Sequence, residues 1–444
     1  MFVDFIIQNF KDYAEKDAVI VNDRIFNYRY LLDKYEGWLN YIDKSVGENK
    51  VVAIQSDYCP DSITLFLALL ETRNIVVPFS LTNKNLEDKV KIAEADFFFE
   101  FNENSFNVNS LSAPVKHKFI EVLFQRKNPG IIIFSSGSTG KPKAAIHDFA
   151  YLLNKFKVKR KTLRTINFLL FDHWGGINTL LYILSNAGVV AIPKERTPES
   201  ICEFIQQYQI ELLPTTPTFL NLLLLNKPWR KYDLSSLKMI TYGTEPVYES
   251  TLKAITSALP HVEFKQTYGL TELGVFRTKS RSSDSLWLKV GGEDYFTKII
   301  DGILYVKAKT SIIGYLNAES PFDEEGWYNT GDRVEVDGEW IRFLGRESDV
   351  INVGGLKVFP AEVESVLMQI PQIEDCMVYG EKNAMMGNFV AAEVVLRDKI
   401  NNTEIRSVIR LFCKDKLETY KIPVRIKIVE KTNIGERFKK IRRH

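Results

Sequence analysis

Residues Ile131 to Lys143 read IIIFSSGSTGKPK. Three isoleucines and Phe134 form a short apolar run of strand composition. It leads into Ser135, Ser136, Gly137, Ser138, Thr139 and Gly140, a stretch without bulk. Its backbone N–H groups and hydroxyls can close around an anion as a phosphate-binding nest. Lys141 and Lys143, on either side of Pro142, add positive charge. On composition alone, a plain Ser/Gly surface loop reads the same way. An ordinary P-loop is excluded, because Pro142 follows Lys141 where Ser or Thr would hold magnesium, and Ser135 stands at the first Gly position.

Upstream of this stretch, short apolar runs alternate with helical patterns. Ala18–Val21, Val51–Ile54 and Asn74–Pro78 read as strands, and Ile63–Glu71 as a helix. This rhythm predicts a mainly parallel α/β sheet. At the N-terminus, Phe2, Phe5, Ile6, Phe10 and Tyr13 recur at helical spacing, so an amphipathic helix packed on the body is expected. Asp4 and the lack of a basic leader argue against a secretory signal.

Downstream, a helical stretch is expected near 148–158, and the basic run KFKVKR (Lys155–Arg160) reads as a solvated face. The cluster Phe171-Asp172-His173-Trp174-Gly175-Gly176 then ends a strand. Asp172 suits either a helix cap or a partner for a substrate ammonium. His173 and Trp174 suit a pocket wall. Ala187–Pro193 and Leu212–Pro217 read as strands, the second leaving at a proline turn.

The 444 residues predict more than one domain. A net charge of +2 gives no global field for nucleic acid, and 45% hydrophobic content is an ordinary soluble balance. Cys59, Cys202, Cys376 and Cys413 are scattered, with no CxxC pair, which fits neither zinc nor a disulfide framework. A reducing cytoplasm is the expected setting. No run of about 18 apolar residues predicts a membrane span.

Three further landmarks follow in order: Gln266-Thr267-Tyr268-Gly269-Leu270-Thr271-Glu272, Gly326-Trp327-Tyr328-Asn329-Thr330-Gly331-Asp332, and Gly345-Arg346-Glu347-Ser348-Asp349. With the serine-rich loop, they make the chain resemble the acyl-adenylate-forming ligases, the superfamily of acyl-CoA synthetases, peptide-synthetase adenylation domains and luciferases. The resemblance covers nearly the whole chain. It implies a large N-terminal domain of α/β subdomains plus a β-rich subdomain over residues 1–346. A small mobile α+β C-terminal domain is implied over 347–444, carrying the catalytic lysine and a thiol-tunnel loop.

The resemblance also implies roles. Ser135 to Gly140 with Lys141 and Lys143 would cradle ATP phosphates. Gly243, Thr244 and Glu245, after Tyr242, would wall the adenine and acyl sites. Tyr268 would stack on adenine, and Gly269 would let backbone approach the nucleotide. Thr271 would bond the α-phosphate, and Glu272 would hold Mg²⁺, a hard cation suited to oxygen ligands. Asp332 would accept the ribose hydroxyls, with Arg346 beside them. Gly354 and Gly355 would admit a pantetheine arm. His173 would lie beside the substrate carboxylate, with Trp174, Asn178, Thr216, Tyr242 and Gly243 as pocket candidates. Two positions depart from the family pattern: Ser348 stands at the hinge in place of Asp or Lys, and Glu436 follows Gly435 where a lysine is usual. Phe438-Lys439 resembles a Phe-Lys variant of the tail, which makes Lys439 the candidate catalytic lysine and Lys440 the reserve.

The implied reaction activates a small carboxylic acid with ATP as acyl-AMP. The acyl group then passes to the thiol of coenzyme A or of phosphopantetheine on an acyl or peptidyl carrier protein. Two alternatives stay open: a stand-alone adenylation protein loading an amino or hydroxy acid onto a carrier, and a nucleotide-binding homologue that has lost catalysis.

Overall fold

The computed structural model describes residues 1–102, 105–111, 116–136, 142–292, 294–383, 387–397 and 402–432. Two seven-stranded sheets dominate the N-terminal part. One runs, edge to edge, Glu263–Gln266, Met239–Tyr242, Leu212–Thr215, Thr165–Ile166, Val190–Ile192, Asp17–Val21 and Arg24–Asn27. All its pairings are parallel except the last. The second places Gly130–Ser136, Ile75–Phe79, Val51–Gln55 and Phe97–Phe101 side by side in parallel. Antiparallel strands close both of its edges.

The β-branched runs form these inner strands because both sheet faces are covered. Val51, Val52, Ala53 and Ile54 are all fully buried, as are Ile75, Val76 and Val77. Helix Pro60–Glu71 starts at Cys59, whose Sγ accepts the Ser62 N–H while Ser62 Oγ accepts the Cys59 N–H. Pro60, with its φ preset, opens the first turn. That helix buries ten residues between the sheets.

An antiparallel sheet follows, containing Arg277–Ser280, Leu288–Gly291, Trp340–Arg346, Tyr328–Asp337, Ile303–Ala308 and Tyr295–Ile300. It is the β-rich subdomain. The C-terminal part has its own core, built from Val358, Val363, Ile373, Val390, Ile405 and Ile426 among others. Its elements run Ile373–Asn383, Gly387–Leu396, helix Asn402–Lys414 and Arg425–Ile428, preceded by helix Pro360–Leu367. The fold is therefore α/β with a β-rich third layer and a small α+β C-terminal unit.

Two expectations change, and one strand is added. Pro142–Asp148, between the serine-rich stretch and the helix Phe149–Leu153, is a strand paired antiparallel with Gly130–Ser136. Ala144, Ala145 and Ile146 are fully buried there, a short apolar run that can be read as strand or helix. The N-terminal helix Asp4–Asp12 buries Ile6, Ile7 and Phe10, but Tyr13 lies past its end and is 47% exposed. The basic run is not a uniformly solvated face, because the Lys155 ammonium turns inward to Asn178 Oδ1 (2.6 Å) and the Val275 carbonyl (3.2 Å).

The two parts touch through a buried hydrogen bond. Tyr248 donates its hydroxyl to Glu364 Oε2 at 2.6 Å, and Glu364 Oε1 accepts the Val378 N–H at 2.8 Å. Glu364 is fully buried because both oxygens have donors.

Candidate nucleotide and acid site

The hairpin Gly130–Ser136/Pro142–Asp148 brings Ser135 opposite Lys143. Gly137, Ser138, Thr139, Gly140 and Lys141 lie outside the described residues, as do Lys439 and Lys440. The stem is held from a neighbouring edge. Gly314–Tyr315 pairs with Ile146 and Ala145, and Asn317 clamps the strand start. Its Oδ1 accepts the Ala144 N–H, and its Nδ2 donates to the Pro142 carbonyl, both at 2.9 Å.

Glu272 follows the short hairpin strand Gly269–Leu270 and is 7% exposed. Tyr315 donates its hydroxyl to Glu272 Oε1 at 2.6 Å, and Lys143 Nζ sits 5.3 Å from the Tyr315 ring centre. A lysine, a tyrosine and a carboxylate thus converge where Lys143 pairs with Ser135. Burial, then the Glu272 charge, pushes the Tyr315 phenol up, so it stays a donor. Among the described residues, no group of three or more His, Cys, Asp or Glu could hold a metal alone. One carboxylate suits Mg²⁺ when substrate phosphates and water complete its shell. Glu272, one tyrosine away from Lys143, fits that case.

Thr271 is fixed by its backbone. His147 is fully buried, and its Nε2 donates to the Thr271 carbonyl at 2.7 Å. A carbonyl only accepts, so Nε2 carries the proton. Burial lowers the His147 pKa to about 4, keeping the ring neutral. Gly269 owes its lack of a side chain to protein backbone: a Cβ there would meet the Gly274 carbonyl at 2.9 Å.

Tyr268, Asp332 and Arg346 meet as a triad. Tyr268 donates to Asp332 Oδ2 at 2.7 Å, and Arg346 Nε reaches Asp332 Oδ1 at 3.2 Å. Burial raises the Asp332 pKa while Arg346 and Tyr268 oppose that rise. The Tyr268 ring stacks on Phe343 at 4.5 Å, so part of its surface is already covered by protein. Thr330 Oγ1 donates to the Leu304 carbonyl and accepts the Asp332 N–H, fixing the loop behind the carboxylate.

The parallel sheet ends its strands toward the same region. At these carboxyl ends, Thr215 Oγ1, Tyr242 OH and Gln266 Oε1 are buried and have no partner among the described residues. Ligands of open α/β sheets bind outside the carboxyl ends of the strands, and such orphaned groups need partners. Gly243 packs on Thr267: a Cβ would meet its Oγ1 at 2.4 Å. Thr244 is exposed with φ of 78°, a strained conformation for a β-branched residue. Glu245 Oε1 accepts the Thr218 N–H at 2.8 Å in the first turn of helix Pro217–Asn226. Thr216 caps that helix through Phe219 N–H.

His173 caps helix Trp174–Ser185, its Nδ1 accepting the Gly175 N–H at 3.0 Å. The helix-cap role considered for Asp172 therefore belongs to His173. Asp172 is 4% exposed and takes Ser80 Oγ at 3.1 Å and Asn83 Nδ2 at 2.7 Å, tying the strand end to the loop after Phe79. Gly354 and Gly355, with φ of 58° and 90°, form the turn between Ile351–Val353 and Leu356–Val358. Among the described residues, no atom beyond its chain neighbours lies within 4 Å of a Cβ built on Gly355. Sequence reasoning missed His147, Tyr315 and Asn317. Their signal is weak because His147 and Tyr315 act from strands, and Asn317 from just past one, outside the site motifs.

Family models described as "AMP-binding enzyme" and "AMP-binding enzyme C-terminal domain" match residues 7–291 and 362–436. The chain is 27% identical over 322 residues to an uncharacterized acyl–CoA ligase of Bacillus subtilis, covering 67% of this chain and 64% of that protein. It is 30% identical over 336 residues to acyl-CoA synthetase 7 of Caenorhabditis elegans, covering 67% and 62%. It thus spans under two thirds of the length of these curated relatives. Its fold resembles a crystal structure of an anthranilate CoA ligase in complex with anthranoyl-AMP. There the TM-score is 0.84 at 21% identity, with 99% of this chain and 95% of that one covered.

Proposed function

Because this chain belongs to the AMP-binding enzyme family, we propose that it is an AMP-forming acid–thiol ligase. One observation supports this most: landmarks far apart in sequence come together, Lys143 and Glu272 both against Tyr315, Tyr268 and Arg346 both on Asp332, and Tyr328 close enough to feel the charges of Glu272, Asp332 and Arg346 alike.

A carboxylate is already ionised at neutral pH, so no general base is needed. Its oxygen attacks the α-phosphorus of ATP, the bond to pyrophosphate breaks, and acyl-AMP forms. Lys143 and the serine-rich loop offset the phosphate charge that gathers in that step. Mg²⁺ held at Glu272 would supply further neutralisation of the same oxygens. Asp332 and Arg346 orient the ribose. A thiolate then attacks the acyl carbonyl, and AMP leaves. Coenzyme A is the proposed acceptor, and the reducing cytoplasm is the proposed setting, in keeping with four cysteines in no disulfide. We assign Lys439 to adenylation and the turn at Gly354-Gly355 to the thiol arm. In this reading residues 347–444 rotate between the two half-reactions.

Acid-dependent exchange of labelled pyrophosphate into ATP tests this proposal. Exchange is expected without thiol, with thioester appearing when coenzyme A is added. Lys439→Ala is expected to lose exchange while still passing preformed acyl-AMP to the thiol. If both half-reactions survive in that variant, the lysine is wrongly assigned. Exchange with thioester only on a phosphopantetheinylated carrier would replace coenzyme A as acceptor. An absence of exchange across a broad acid panel would overturn the ligase reading.

A further inference from the structure

Behind the Thr271 hairpin lies a pocket that joins Trp174 and Asn178, two of the acid-pocket candidates, to Lys155, which none of the roles above uses. Leu152, Phe156 and Leu181 give it apolar walls, and Lys155, Trp174 and Asn178 supply its polar atoms. Its free space is about 10 Å³, room for roughly one oxygen-sized group. The pocket is linked to the Thr271 hairpin through two of its lining residues, Trp174 and Lys155. The Trp174 ring lies 5.1 Å from His147, which holds the Thr271 carbonyl. Lys155 donates to the carbonyl of Val275, which pairs with Gly269 in the hairpin leading to Thr271.

The polar content of this pocket is one-sided. Lys155 spends two donors on Asn178 Oδ1 and the Val275 carbonyl, and its Nζ also lies 4.9 Å from the Phe156 ring centre. The Trp174 indole N–H is buried with no partner among the described residues. Among the described residues, no carboxylate pairs with the ammonium. Burial, with Arg277 and Arg160 adding like charge, pushes its pKa down to about 7. One orphaned N–H beside a buried ammonium that keeps a third N–H for another acceptor makes a site for an oxygen.

We propose that this pocket is the inner end of the acid site and that Lys155, with the Trp174 indole, receives an oxygen carried at the far end of the acid. The substrates are then short acids ending in a hydroxyl, an oxo group or a second carboxylate, not plain hydrocarbon acids. This deepens the ligase reading and rests on it.

The test is pyrophosphate exchange with acids of equal chain length ending in methyl, hydroxyl or carboxylate. The wild-type chain is expected to favour oxygen-ended acids in kcat/KM by roughly tenfold or more, because a site built to bond an oxygen rejects the analogue lacking it. Lys155→Met should bring that ratio to one or below. Lys155→Gln, a donor without charge, should keep the preference for hydroxyl and lose the one for carboxylate. If Lys155→Met fails to fold, the wild-type and Lys155→Gln ratios decide the matter. A wild type indifferent to the terminal oxygen, or variants that slow all acids alike with the ratio unchanged, would overturn the proposal while leaving the ligase reading intact. An absence of exchange with every acid would instead remove that reading.

Discussion

At the scale of single residues, the site is built from side chains that hold backbone in place. Thr244 carries φ of 78° between Gly243 and Glu245, a conformation that costs a β-branched residue about 1–3 kcal/mol. Thr244→Gly should relieve that strain and raise unfolding free energy by about 1 kcal/mol in a urea titration, after glycine's added chain entropy is offset. A loss of stability would mean that Thr244 makes compensating contacts. His147 gives a pH prediction with a definite sign. Its pKa falls from 6.5 to about 4 in the folded chain, so below 6.5 the unfolded chain binds the proton first. Its contribution is complete above pH 6.5 and drains away as pH falls toward about 4, by about 3 kcal/mol at most. His147→Gln should therefore show a flatter loss of stability over that window in chemical unfolding at stepped pH. An unchanged slope would assign the loss to other groups.

At the scale of elements, the serine-rich tip depends on its stem. Asn317 satisfies the Ala144 N–H and the Pro142 carbonyl from a different segment. Asn317→Ala leaves both without that partner, at about 1–3 kcal/mol for buried groups and less where water reaches. The Ala144 amide should exchange hydrogen faster, and the KM for ATP should rise several-fold with the acid KM little changed. An unaltered ATP KM would separate the stem from nucleotide binding. The same stem marks where sequence reading stopped. The inner strands were legible because Val51–Ile54 and Ile75–Val77 are unbroken apolar runs buried on both faces. Pro142–Asp148 was not, because Lys143, His147 and Asp148 break its pattern while its pairing to Gly130–Ser136 is set by contacts outside the motif. The order of Glu272, Asp332 and Arg346 was legible from their motifs. Tyr315 and His147 were not, since each reaches the site through one hydrogen bond from a segment of ordinary composition. Lys155 was misread for a related reason: a run of basic residues says nothing about which one turns inward.

At the scale of the whole molecule, the buried contact between Tyr248 and Glu364 joins the N-terminal part to the C-terminal part. Removing the hydroxyl leaves Glu364 with one fewer donor in a site that water does not reach. Tyr248→Phe should loosen the docking, and limited proteolysis at 346–349 should speed up several-fold while the cores on either side stay protected. Unchanged cleavage would show that other contacts set the docking. The central claim concerns which bond of ATP is broken, and one measurement addresses it directly. Phosphorus NMR of a turnover mixture holding ATP, magnesium, coenzyme A and a panel of short oxygen-ended acids would identify the products. The account predicts AMP and pyrophosphate appearing together, in step with thioester. ADP and phosphate, or thioester formed without AMP, would contradict it.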